Sequence, residues 1–394
     1  MNKGYKKTKA TAKLNAAARK LKQGQFEYAA KLCQGILAKD PNDVRALNIL
    51  GASLVNSGKI AQAIQVSEKL CQLSPDNSVF HSNLSNLYGR TGHLPKAALA
   101  MANAVLGDAK NPAYQAKFAQ LIEHLVFYHA APETEVIKKA LRVCMANPAI
   151  DAARFSNAWH SLLMLDPVFR RLATLTEGGD FRLQTEAVNI RDLEEPLADP
   201  FVLLGLRSLH ATSAKYEQVV TFLRYLLVSS FADYEPDSFL PFLCVMAEHC
   251  NLNEYVYGCT QEELSMVDAL EDALDLSSGI DLDSMARIAL VSCYKDPLTL
   301  DWANAVAPAE AVSQQEAFAH FVEHTITIPA KARDLLDTIP ALPASDRSGE
   351  NEVSYAVAKQ YEENPYPRWR HLEKPAPVSY THLRAHETSL PISY

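Results

Sequence analysis

Glycine is scarce in this 394-residue chain: there are 14, and none follows Gly349. The end of the chain therefore holds no Gly-rich turn of the kind that brings backbone N–H groups against a dinucleotide or phosphate. Long apolar runs are missing as well. No window approaches the roughly twenty apolar residues of a membrane span. The basic opening (Lys3, Lys6, Lys7, Lys9, Lys13) is followed by Ala, Asn, Arg and Lys rather than by the apolar stretch of a signal peptide. The seven cysteines stand at irregular spacing with no C-x-x-C pair. This excludes the common paired-thiol zinc spacings and points to a reducing compartment, the cytoplasm. Strictly alternating strand patterns are scarce. The formal charge of −8 argues against a general nucleic-acid binder.

What is present, at 48% hydrophobic and 21% charged, reads as an ordinary globular chain of amphipathic helices. Residues 1–11 read as a solvated basic tail. Residues 12–110 repeat with a period of 34. Gly24, Gly58 and Gly92 share a column, as do Ala29, Ala63 and Ala97, and so do Ala17, Gly51 and Ser85. Phe26, Ile60 and Leu94 form another column, and Ile36, Leu70 and Ala104 a further one. Leu50 pairs with Leu84, Leu54 with Tyr88, and Pro41 with Pro75. A glycine at the repeated turn permits a left-handed backbone, and small residues let two helices approach closely. Pro41-Asn42-Asp43 and Pro75-Asp76-Asn77 end one helix and cap the next.

A 34-residue helix–turn–helix unit with these columns resembles the tetratricopeptide repeat, in about three copies. The first is weakened by Lys20, where the others have Leu54 and Tyr88, and the last departs at its end, with Pro112 three residues late. The resemblance implies an α-solenoid whose groove binds a protein or peptide segment. Asn83 and Asn86, on the first helix of the third copy, are candidates to face that groove. The plainer alternative makes them solvated polar positions.

Residues 111–345 read as an α-helical middle domain without the 34-residue register. Expected helices are Ala113–His129, Pro132–Met145, Asp151–Met164, Tyr216–Ser229, Asp237–Cys250, Gln261–Leu274, Asp283–Cys293, Leu298–Ala305 and Gln314–His324. His320-Phe321-Val322-Glu323-His324 matches the H-x-x-E-H zinc-peptidase pattern. Two histidines a turn apart can share a metal, and the glutamate can act as base. No third ligand is indicated, and Thr325-Ile326-Thr327 is expected to break the helix, so these read as surface histidines at a helix end. Cys244, Cys250 and Cys259 read as buried structural thiols.

Phe242–Glu263, FLCVMAEHCNLNEYVYGCTQEE, resembles a segment of bacterial proteins that join tetratricopeptide repeats to a class I S-adenosylmethionine-dependent methyltransferase. Residues 346–377 read as a linker and lead-in. Within them QYEENPYPRW, Gln360–Trp369, resembles the segment just before the methyltransferase domain in the same proteins. Asn364-Pro365 and Tyr366-Pro367 hold this strap extended. Tyr361, Tyr366 and Trp369 give it aromatic faces, and Arg368 offers a guanidinium to a carboxylate. The strap packs on a neighbouring domain or lines a pocket. The resemblance implies a doubly wound cofactor domain of on the order of 150 residues, yet 25 residues follow Trp369, none of them glycine. The chain is thus expected to be the N-terminal fragment of such a methyltransferase, with no catalytic, cofactor or metal site of its own, acting at most as a protein-interaction module. A stand-alone repeat adaptor without enzymatic activity is the alternative. Val378–Thr388 resembles a translated transposase-type sequencing adapter and Ile392–Tyr394 its continuation, so residues 378–394 are set aside as adapter-derived.

Overall fold

The computed structural model describes residues 2–177, 180–210 and 213–337, with side chains from Thr11 to Leu335. Every regular element among them is a helix, so the chain is all-α, and its first part is a solenoid of tetratricopeptide-like helix pairs. The described residues fall into two compact units.

The first unit takes the residues up to Ile150 together with Asn157–Leu162. Its leading helices are α1 (Asn2–Lys22), α3 (Val44–Asn56), α5 (Ser78–Arg90) and α7 (Pro112–Ile122). The trailing partners are α2 (Phe26–Leu37), α4 (Ile60–Leu73), α6 (Leu94–Gly107) and α8 (Pro132–Met145). α1 is helical from Asn2, so the lysine-rich opening belongs to the first repeat helix. The helix pair is dictated by two local devices. Gly24, Gly58 and Gly92 have φ of 74°, 73° and 76°. At each, the next residue's N–H reaches five residues back: Gln25 to Lys20 at 2.9 Å, Lys59 to Leu54 at 2.9 Å and His93 to Tyr88 at 3.0 Å. This is the Schellman closure, which needs a residue in the left-handed region.

The second device is the cap. Asp43 accepts from the N–H groups of Arg45 and Ala46, Asn77 from that of Phe80, and Asn111 from those of Ala113 and Tyr114. These caps stand in one 34-residue column, so the register persists one helix beyond residue 110. It fails at α8, where Pro132 fixes the first turn four residues late. The small-residue columns form the seams: Ala17, Ala29, Ala63 and Ala97 are fully buried, and Ser85 donates from its buried hydroxyl to the Ala97 carbonyl at 2.7 Å.

The second unit contains Asp151–Ser156 and the residues from Leu163 onward. α9 (Ser156–Leu163), whose residues Asn157–Leu162 belong to the first unit, follows a 3₁₀ turn at Ala152–Phe155, so the expected single helix over 151–164 is two pieces. α10 (Pro167–Leu175), α11 (Glu194–Leu197), α12 (Pro200–Ser208), α13 (Ala214–Ser229), α14 (Pro236–Leu252), α15 (Gln261–Asp272), α16 (Leu282–Val291), α17 (Ala303–Val306), α18 (Glu316–Val322) and α19 (Ile328–Asp337) complete it. α14 is buried on every side from Phe242 to Leu252, the pattern of a central helix, with Glu248, His249 and Asn251 among its buried residues. It packs against α12, α16 and α18, while α13 packs against α10 and α15.

Three expectations are corrected. Leu298–Ala305 is not one helix: a 3₁₀ turn at Pro297–Thr299 and the short α17 are separated by Leu300, extended at φ −105°, ψ 140°. α7 stops at Ile122 rather than His129. Thr325-Ile326-Thr327 does not break the helix, because Glu323–Thr327 is one π-helical turn leading directly into α19. Pro329 has no N–H for the Thr325 carbonyl, and the widened turn accommodates the missing bond. The Thr325 hydroxyl bonds back to the Phe321 carbonyl at 2.8 Å, and Ile326 is buried.

Candidate functional site

In the first unit the candidate surface is the outer face of the leading helices. Asn83 and Asn86 are both exposed on α5, one turn apart, while Leu84, Leu87 and Tyr88 turn inward. The 34-residue columns extend this face. Asn15, Ile49, Asn83 and Lys117 share one column, and Ala18, Ala52, Asn86 and Gln120 the next. The exposed C-terminal column reads Lys22, Asn56, Arg90 and His124. Lys117 Nζ lies 3.2 Å from Gln120 Oε1, so the α7 positions are held together.

Charge marks this face off. α1, α3, α5 and α7 contain no Asp or Glu at all. Residues 1–150 hold 20 Lys and Arg against 9 Asp and Glu, whereas residues 151–394 hold 18 against 37. The net charge of −8 is the sum of this basic first part and the acidic remainder.

In the second unit, the segment Cys250–Glu263 is held by two buried ion centres. Glu263 is fully buried. Its Oε2 accepts from Arg182 Nε at 2.8 Å, Arg182 Nη2 at 2.6 Å and the Thr260 N–H at 2.8 Å, and its Oε1 accepts from the Tyr294 hydroxyl at 3.2 Å. Thr260 answers by accepting from the Glu263 N–H, which makes a complete capping box at the start of α15. Arg224 is 1% exposed and stacks 4.1 Å from the Tyr294 ring centroid. Its guanidinium donates to the carbonyls of Gly258 (2.9 Å), Tyr257 (3.2 Å) and Cys293 (3.3 Å).

Between these anchors the backbone turns sharply. Glu254 and Tyr255 stand at φ 52° and 56°, each costing roughly 1–2 kcal/mol relative to right-handed backbone. The turn is fixed by the Tyr255 N–H on the Cys250 carbonyl at 2.9 Å, and Asn251 Nδ2 donates to the Tyr255 hydroxyl at 3.1 Å. His249 is a satisfied core histidine: Nδ1 lies 2.7 Å from the Leu206 carbonyl, and the Tyr257 hydroxyl lies 2.6 Å from Nε2. Burial pushes the Cys250 thiol up, but its bond with Cys293 and the charge of Arg224 outweigh that and hold it below its ordinary value. Burial, with the neighbouring Cys250, sends Cys293 well above it.

His320 and His324 are brought together, with ring centroids 3.9 Å apart and planes 11° from parallel. Stacked rings send their lone pairs in parallel directions rather than onto one point. His320 Nδ1 faces Glu248 Oε1 at 2.9 Å, and Arg207 Nε binds the other oxygen of the same buried carboxylate at 2.8 Å. Among the described residues no group of three or more His, Cys, Asp or Glu side chains is placed to hold a metal. Cys244 and Cys250 are buried as expected; Cys259 is exposed, because it sits on the pinned loop rather than in a helix. The strap residues Tyr361, Asn364, Pro365, Tyr366, Arg368 and Trp369 lie outside the described residues. No described helix is long and apolar enough to cross a membrane.

Sequence reasoning passed over Arg182, Arg207, Arg224 and Glu248. The signal for two of them was available: Arg224 is the lone charge in TFLRYLLV and Glu248 the lone charge in LCVMAEHC. A charge inside an apolar helical run demands a buried partner.

No family model matches the chain. Among solved structures the chain is similar to a chain in a structure of Naa15/Naa10 bound to HypK-THB, with 13% identity and a TM-score of 0.27. The similarity covers 90% of this chain and 66% of that one, so the chain spans just under two thirds of its length.

Proposed function

We propose that the chain acts as a protein-interaction module whose first unit takes an extended polypeptide segment across the leading helices. The observation that carries this reading is the exposure of Asn83 and Asn86 side by side on α5, a helix that contains no carboxylate. A carboxamide both donates and accepts, which matches the alternating N–H and C=O of a peptide strand. Fluorescence anisotropy of labelled peptides with the full chain tests it. Asn83→Ala with Asn86→Ala is expected to weaken every peptide that binds; unchanged affinity counts against the reading.

We further propose that the sequence belongs with bacterial proteins that join tetratricopeptide repeats to an S-adenosylmethionine-dependent methyltransferase. NEYV and QYEENPYPRW support this by resemblance. S-adenosylmethionine would then be the cofactor of the whole enzyme rather than of these residues. Calorimetry on this chain is expected to show no S-adenosylmethionine binding. A genomic locus that continues in frame past Pro377 into a strand and G-x-G turn supports the assignment, and a stop codon there counts against it.

A further inference from the structure

We propose that the segment bound by the leading-helix face is acidic, an inference that rests on the interaction reading above. The face offers cations without internal partners. Lys22 on α1, Arg45 on α3 and Arg90 on α5 form no ion pair among the described residues; the ion pairs of Lys59 with Glu27 and of Lys138 with Glu135 use trailing helices or the turns before them. No carboxylate of the first unit lies within a leading helix. Asp43 is committed to a cap, Asp40, Asp76 and Asp108 lie in the turns before leading helices, Glu27 and Glu68 lie on α2 and α4, Glu133 and Glu135 lie on α8, and Glu123 follows the end of α7. An approaching anion thus meets Arg90, Lys117, Lys22 and Arg45 with no like charge on the same helices.

Screening confines the effect. With a Debye length of about 8 Å at physiological salt, the local face decides the encounter rather than the overall charge of −8. Complementary charge of this kind acts on encounter rate and partner choice. A polypeptide fits better than a nucleic acid. α3, α5 and α7 expose no aromatic ring on which a base could stack: Tyr88 and Phe118 are buried, and Phe80 and Tyr114 half-buried. The amides of Asn83, Asn86 and Gln120 suit a peptide backbone.

The test compares three labelled probes on the full chain by anisotropy: a Glu-rich peptide, its Gln-substituted counterpart, and a uridine oligonucleotide of equal length. The Glu-rich peptide is expected to bind tightest, with affinity falling as salt rises. The surface variant Arg90→Glu with Lys117→Glu should weaken it about tenfold while leaving the Gln peptide unchanged. Equal affinity for the two peptides overturns the acidic preference and leaves the interaction reading standing. Failure of both peptides to bind overturns both. Tighter binding of the oligonucleotide than of either peptide overturns the proposal in favour of a polyanion surface.

Discussion

Arg182 Nη2 lies 2.6 Å from Glu263 Oε2 across 81 residues of sequence, joining a 3₁₀ turn to the first turn of α15. The two partners are not equivalent: the Glu263 side chain is fully buried, whereas that of Arg182 is 18% exposed. Loss of the arginine strands a buried anion. Loss of the carboxylate leaves a cation that reaches water. Arg182→Met is therefore expected to destabilise the second unit by about 3–5 kcal/mol and Glu263→Gln by less. Urea unfolding of both variants checks the order.

Arg224 should control the loop after α14. Its guanidinium holds the Tyr257 and Gly258 carbonyls from inside, against a turn that includes two left-handed non-glycine residues. Arg224→Met keeps most of the volume and leaves those carbonyls unpaired. Hydrogen exchange in the full chain should show lost protection over residues 253–260, with amides of α5 as internal reference. Unchanged exchange in the loop would show that Arg224 is only filling space.

Two glycines of the first unit should respond differently to alanine. At Gly58, φ is +73° and a Cβ would meet no atom within 4 Å, so the cost is backbone alone, roughly 1–2 kcal/mol. At Gly107 a Cβ would sit 3.2 Å from the Asp76 carbonyl oxygen and 3.3 Å from Ser78 Cβ. Gly107→Ala must therefore push α6 away from the α5 cap. Exchange of α3 and α4 amides should rise severalfold in Gly58→Ala, and that of α5 and α6 amides in Gly107→Ala.

His160 gives the first unit a pH dependence. Burial holds its imidazole down at about 4, below the value of about 6.5 for a free histidine. The unfolded chain therefore takes up the proton first as pH falls. Stability is fully present above about 6.5 and declines as pH falls from there toward 4, by up to about 2 kcal/mol between pH 7 and 5. Urea midpoints of wild type and His160→Gln at the two pH values test this; an equal pH response in both removes His160 as the cause.

The sequence by itself determined the helix pairs, because each is written within a few residues. A glycine at the turn and an Asx cap at the next start act locally and recur every 34 residues, at Gly24, Gly58 and Gly92 and at Asp43 and Asn77. The same locality made Asn83 and Asn86 legible as outward positions, since helical spacing alone separates them from Leu84, Leu87 and Tyr88. Only the tertiary structure decided the second unit. Which carboxylate Arg182 finds, why Glu254 and Tyr255 tolerate left-handed backbone, and how the 323–327 turn widens all depend on partners remote in sequence or on burial. A buried charge announces in the sequence that it needs a counterpart, and packing alone says which residue supplies it.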